Sequence, residues 1–140
     1  MRHHLVVRVV SKLLIPIIIL FALYVQFHGD YGPGGGFQAG VIFAAAFILH
    51  GLVFGLKQTQ KIIRPGLLQV LAACGVLVYA GVGVLTLIMG GEFLNYNVLS
   101  KNPANGQHLG IMLIELGVGM TVASVILLIF YSFTGLKSDE

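Results

Sequence analysis

"LGIMLIELGVGMTVASVILLIFYSF", residues Leu109–Phe133, contains a single charged side chain, Glu115. A helix needs about 20 predominantly apolar residues to cross the hydrocarbon core of a bilayer. This run is long enough, and it lacks the period-two alternation of a membrane β-strand. It predicts a transmembrane helix, so the rest of the chain has to be read against the same solvent. Three further runs qualify: Leu5–Phe27, Phe37–Leu56 and Gly66–Met89. Lipid offers backbone groups no water, which favours helices that satisfy their own hydrogen bonds. The expectation is an all-α integral membrane protein, a single membrane domain over residues 1–140. Its four transmembrane helices should lie at about 5–27, 37–56, 66–89 and 109–133.

Composition points the same way. The 140 residues are 57% hydrophobic and 9% charged, with a mean hydropathy of +0.96. A soluble domain carries about 25% charged residues, so these few cannot cover a water-facing surface. The net charge of +3 is not a nucleic-acid signal, because the cations sort by side of the membrane. Arg2, Arg8, Lys12, Lys57, Lys61, Arg64 and Lys137 fall on one side, and Lys101 alone on the other. The positive-inside rule then predicts both termini in the cytoplasm. The turn after His28 and the segment Gly90–Gln107 are expected to face outward. That outer segment is long for a helix connection. Its Phe93, Leu94, Tyr96, Val98 and Leu99 suit the membrane surface or a packed neighbour.

The first run opens with basic residues, as a secretory signal does. "FALYVQFHG" offers no small-x-small cleavage site, so a retained helix is expected, kinked at Pro16. Arg8 and Lys12 in its first turns can snorkel to the interface. Cys74 is the only cysteine; without a partner it reads as a small buried hydrophobe.

Between the first two runs stands "HGDYGPGGGFQAG", His28–Gly40. A phosphate loop is excluded. The spacing is G-x-G-x-x-x-G, no strand precedes it, and no Gly-Lys-Ser/Thr follows. The physical reading is backbone shape. Gly34, Gly35 and Gly36 permit positive φ and close approach, and Pro33 fixes one φ beside them. Gly36, Gly40 and Ala44 then recur every fourth residue, and Gly51 and Gly55 form a second small pair. Such stripes let transmembrane helices pack closely. Gly75, Tyr79, Gly83, Thr86 and Gly90 make a small-and-polar stripe on the third helix, read as packing. The alternative for the glycine turn is a lining of an outer ion or water vestibule, with Asp30 at its mouth.

The turn and the fourth run together carry a resemblance. "HGDYGPGGGFQAGVI" and "HLGIMLIELGVGMTVASVILLIF" resemble the B subunit of the bacterial multi-subunit Mrp/Mnh-type Na+/H+ antiporter, and the likeness covers nearly the whole chain. It implies an accessory subunit of a large assembly that couples proton entry to sodium export, in the bacterial inner membrane. The implied partners are the other membrane subunits, the lipid bilayer, monovalent cations and protons; nucleic acid is not among them. Asp30 stands where many members of that family have His. The resemblance also implies that the large subunits, not this chain, carry proton channels with buried lysines. A related subunit occurs in energy-converting membrane hydrogenases, so a membrane-arm subunit of a redox complex is one alternative. A self-sufficient homo-oligomeric small transporter is another.

Candidate ion-pathway residues are few. Glu115 is the only carboxylate within a span, and such groups usually face protein or water. Starting the helix at Leu109 places Glu115 about 10 Å from its outer end. His108 lies seven residues earlier on the same face, with Met112, Gly119 and Val122 continuing it. Glu115, His108 and Asp30 are therefore the candidates for an ion or proton relay. The competing reading makes Glu115 a hydrogen-bonded anchor to a neighbouring helix. His50, near the inner end of the second helix, is expected to hydrogen-bond a partner. His28, Asp30, Glu92 and His108 share the outer side without metal-ligand spacing. No catalytic triad, metal motif or cofactor motif is present, so no enzymatic site, metal or cofactor is expected.

Overall fold

In the computed structural model, which describes residues 4–28 and 35–136, every long element is a helix. Helix α1 spans Leu5–His28, α2 Gly36–Phe54, α3 Leu56–Ile62, α4 Pro65–Ile88 and α5 Pro103–Leu136. A single 3-10 turn, Tyr96–Leu99, interrupts the α4–α5 connection. No strand occurs among the described residues. Helices α1, α2, α4 and α5 are each long and apolar enough to cross a membrane. Helix α1 runs through Pro16 without interruption, although the ring has no N–H to donate.

Two boundaries differ from the sequence expectation. The second span does not run on to Leu56. Gly55 adopts φ +105° and separates α2 from the short helix α3, which occupies most of the connection to α4. The fourth span begins at Pro103 rather than Leu109. Asn102 explains this: its side chain accepts from the Ala104 N–H at 3.1 Å, its carbonyl accepts from Gly106 at 3.0 Å, and Pro103 follows at the first helical position. Both features favour a helix start.

The helices form an open row in the order α1, α2, α5, α4, so α2 and α5 are central and α1 and α4 lie at the ends. Hydrophobic driving force is absent between helices in lipid, so close contact and hydrogen bonds must hold the row together. The glycines supply the closeness. A Cβ on Gly40 would sit 2.8 Å from the Gly119 carbonyl oxygen, and one on Gly36 would collide with the Glu115 carbonyl. Gly75 and Gly117 meet reciprocally across α4 and α5; a Cβ on Gly117 would lie 2.8 Å from the Gly75 oxygen. Beside that pair, the Thr121 hydroxyl reaches the carbonyls of Gly117 (3.0 Å) and Ala72 (3.3 Å), the latter on the neighbouring helix. The expected stripe Gly36–Gly40–Ala44 is thus the buried edge of α2. Cys74 is only half-buried on α4, not a core residue.

The connections at the two ends of the helices each have their own fastening. Helix α3 is tied twice: His50 Nδ1 to Thr59 Oγ1 at 2.8 Å, and the Tyr131 hydroxyl to the Ile63 carbonyl at 2.9 Å. The Thr59 hydroxyl also lies 3.2 Å from the carbonyl of Gly55 on its own turn. His50 has the partner its sequence position predicted. At the other end the α4–α5 connection folds down onto its own helices. Phe93 lies over Gly83, Tyr96 over Gly110, and Val98 against Gly91. The buried Thr86 hydroxyl donates to Gly83 O at 2.7 Å and accepts from Leu94 N–H at 2.9 Å. That bond holds Leu94 at φ +62°, a conformation uncommon outside glycine. The α4 stripe therefore divides its labour. Gly75 packs on α5, Gly83 seats Phe93, and Thr86 pins the loop.

Candidate functional site

The first intrahelical bond of α2 runs from Ala39 N–H to the Gly35 carbonyl, 3.0 Å. The N–H groups of Gly36, Phe37 and Gln38 consequently begin the helix without intrahelical partners. Gly35 has no side chain to cap them. The side chain that reaches this helix end comes from α5. A Cβ on Gly35 would lie 3.1 and 3.2 Å from the two carboxylate oxygens of Glu115, which places the carboxyl group against the head of α2. Gly35 is held at φ +150° there, so a larger residue would be strained as well as crowded. The partial positive charge of a helix N-terminus favours an anion beside it. The geometry thus explains how one carboxylate is tolerated inside a span.

Glu115 is half-buried and lines a recess of about 310 Å³ with Gly35, Gly36, Phe37, Gln38, Ile114 and Val118. The recess is open on one side. It has a carboxylate, one exposed amide side chain (Gln38) and the N-terminal end of a helix, a polar combination within otherwise apolar walls. Such a site can hold a proton on the carboxyl group, or a small hydrated cation beside the carboxylate. Because α5 starts at Pro103, Glu115 is about 18 Å from the start of the helix at 1.5 Å per residue, in its first half; the added turns are polar and leave its distance from Leu109 unchanged.

The other candidates are placed unequally. Gly35, Gly36 and Gly40 are buried at the α2–α5 contact. His108 is exposed two turns before Glu115 and does not line the recess. Asp30, Pro33 and Gly34 lie outside the described residues. Among the described residues no group of three or more His, Cys, Asp or Glu could hold a metal ion. One polar residue escaped the sequence reading. Gln26, half-buried on α1, brings its side-chain oxygen against Gly119, one turn along α5 from Glu115. Its signal was available: Gln26 is the one uncharged amide in the last turns of an apolar helix.

The family model described as "Domain related to MnhB subunit of Na+/H+ antiporter" matches residues 6–128. The chain belongs to the MnhB family. Full-length relatives agree with this. "Putative antiporter subunit mnhB2" of Staphylococcus aureus strain Newman is 36% identical over 139 residues, covering 97% of this chain and 98% of the relative. The proteins of the same name in strains JH1 and COL match to the same extent. The match to the MnhB model spans α1, α2, α3, α4 and most of α5, so it takes in both the glycine-rich head of α2 and Glu115. With four membrane-crossing helices, this MnhB-family chain is a multi-pass protein of the bacterial cell membrane.

Proposed function

We propose that this chain is an accessory membrane subunit of a multi-subunit Na+/H+ antiporter, and that Glu115 is its ion-handling group. End-to-end similarity to proteins named as antiporter subunits supports the first part. The placement of Glu115 at the head of α2, beside an open polar recess, is the observation that carries the second. In this reading His108, exposed two turns before Glu115 on the same helix, lies on its outer side. Both termini face the cytoplasm, as the seven-to-one sorting of cations favours.

The open row of helices fits a subunit better than a free-standing transporter. Only 11% of the apolar window of α1 is buried by its own chain. A four-helix unit whose first helix is so bare leaves that helix to lipid and to other subunits. The tightly packed α2–α5 pair would hold Glu115 in place while the remaining surface docks. Family membership favours transport over catalysis.

The test is genetic and biochemical. Everted vesicles from cells lacking this chain should show no sodium-driven proton movement, and its re-expression should restore it. Liposomes containing the chain alone should exchange neither ion. Sodium–proton exchange by the chain alone would overturn the accessory role. Extraction in mild detergent should bring it out in one large complex with other membrane subunits.

A further inference from the structure

We infer that the face of α5 carrying Glu115 docks a transmembrane helix of another subunit, one that presents a lysine or arginine to the carboxylate. The recess at Glu115 has a neighbour. A second cleft, of about 200 Å³, is lined in part by Gly75, Tyr79, Gly117, Thr121 and Val122, and Val118 belongs to both hollows. Together they form a trough beside α5 from Glu115 to Val122, about 10 Å long. The head of α2 walls one end and α4 the other. The trough is apolar between its ends, because the Thr121 hydroxyl is already engaged with the carbonyls of Gly117 and Ala72. Tyr79, 40% exposed, stands at the α4 end. Gln38 and Glu115 stand at the α2 end.

A carboxylate inside a span is costly unless it is paired. The head of α2 supplies only about half a positive charge. No lysine or arginine of this chain reaches Glu115 to supply the rest. Arg8 and Lys12 lie beside Phe54, the last residue of α2, and Lys57, Lys61 and Arg64 follow that same end. Glu115 meets Gly35, at the opposite end of this 19-residue helix, about 28 Å away. Arg2 is three residues ahead of α1, and extended chain of that length spans at most about 11 Å. Lys137 follows Leu136, about 31 Å along α5 from Glu115. Lys101 precedes α5, which itself begins about 18 Å before Glu115. Residues 29–34, outside the described residues, include no lysine, arginine or histidine. The counter-charge therefore comes from another molecule.

Depth selects a protein side chain over a lipid headgroup. Glu115 lies about 10 Å inside the apolar run that opens at Leu109, deeper than a headgroup ammonium stands. A lysine or arginine on a membrane helix meets that depth with its aliphatic stem against apolar walls. The hollows, about 310 and 200 Å³, take side chains rather than a whole helix, which is about 10–12 Å across. The partner helix thus lies along α5, with apolar side chains at Val118 and Val122 and its cation at Glu115. This inference rests on the accessory-subunit reading and is independent of whether Glu115 titrates.

The experiment uses the whole complex in its native membrane. Tyr79→p-benzoylphenylalanine places a photoreactive ring at the trough. Illumination should join this chain to one other membrane subunit, and the captured segment should be an apolar helix that carries a lysine or arginine. In a second arm, Glu115→Lys should lower co-purification of that subunit at least about tenfold, because like charges then face one another. Glu115→Gln should retain it, since the amide oxygen still accepts a hydrogen bond from the cation. Exchanging the two charges between the chains should restore what Glu115→Lys loses. Adducts from an intact complex with lipid alone, or with a second copy of this chain, would overturn the inference. So would a captured segment without a cation, or parental retention of the partner by Glu115→Lys. Recovery of this chain free of every other subunit would instead refute the accessory reading.

Discussion

Gly36→Leu is expected to abolish assembly of the complex. The reason is the identity of the neighbour. A Cβ at Gly36 meets the backbone carbonyl of Glu115 and, at 3.0 Å, the backbone N of Gly119. Side chains can rotate away from an intruder, but the backbone of a central helix can yield only by separating α2 from α5. Overpacking a core ordinarily costs about 1–3 kcal/mol, and a clash with backbone belongs at or beyond the top of that range. Gly40→Leu should act similarly, since its Cβ would lie 2.8 Å from the Gly119 oxygen and 2.9 Å from the Val122 Cβ. Gly66→Ala is the control, because nothing stands within 4 Å of its Cβ position. Native gels should show the complex lost in both leucine variants and intact in the control. Normal levels of complex in both leucine variants would refute the packing account.

Glu115→Gln is expected to leave the complex assembled and to disable it. Glutamine has nearly the volume of glutamate and still hydrogen-bonds, but it cannot release a proton. Its structural cost should be small. Losing the charge beside the head of α2 forfeits about 0.3–1 kcal/mol of helix-dipole interaction. Its functional cost should be large. Removing one positioned proton-transfer group typically lowers a rate by about 100-fold or more, and a similar fall in antiport is expected here. Glu115→Ala should weaken assembly as well, since it enlarges the recess and strips the head of α2 of its anion. Sodium-driven proton movement in everted vesicles, scaled to assembled complex, separates the two effects. A glutamine variant that matches the parent across pH and sodium concentration would leave Glu115 as an anchor between α5 and α2.

The helices were legible in the sequence because the bilayer imposes so strong a length and polarity requirement. The packing edge of α2 was legible too, because Gly36, Gly40 and Ala44 recur with helical spacing and small size has few other uses at such positions. The break at Gly55 was not. Apolar residues continue through Leu56, and a glycine in a span reads equally well as packing or as a stop; only its positive φ decides. The early start of α5 was hidden by a different conflict. "PANGQHLG" is too polar for a hydropathy reading of a helix, while Asn102 and Pro103 are strong start signals for one that projects beyond the apolar region. Capping chemistry prevailed over polarity there.

The candidate site was half legible. A lone carboxylate in a span stands out, and Glu115 was singled out as a candidate in that way. That it meets Gly35 was not readable, because helical periodicity defines faces but not the register between helices. Small residues on α2 and around Gly117 and Gly119 announce a close pair without saying which turn meets which. Gln26 was overlooked for the same reason, since its neighbour Gly119 belongs to a helix more than 90 residues away in sequence.

The account stands or falls on whether Glu115 changes protonation as the complex exchanges ions. The direct measurement is a sodium-induced infrared difference spectrum of the reconstituted complex, in the carboxyl C=O stretching region. The parent should show a change in the carboxyl bands when sodium is added, and that change should be missing from the Glu115→Gln complex. Identical difference spectra from the two complexes would contradict it.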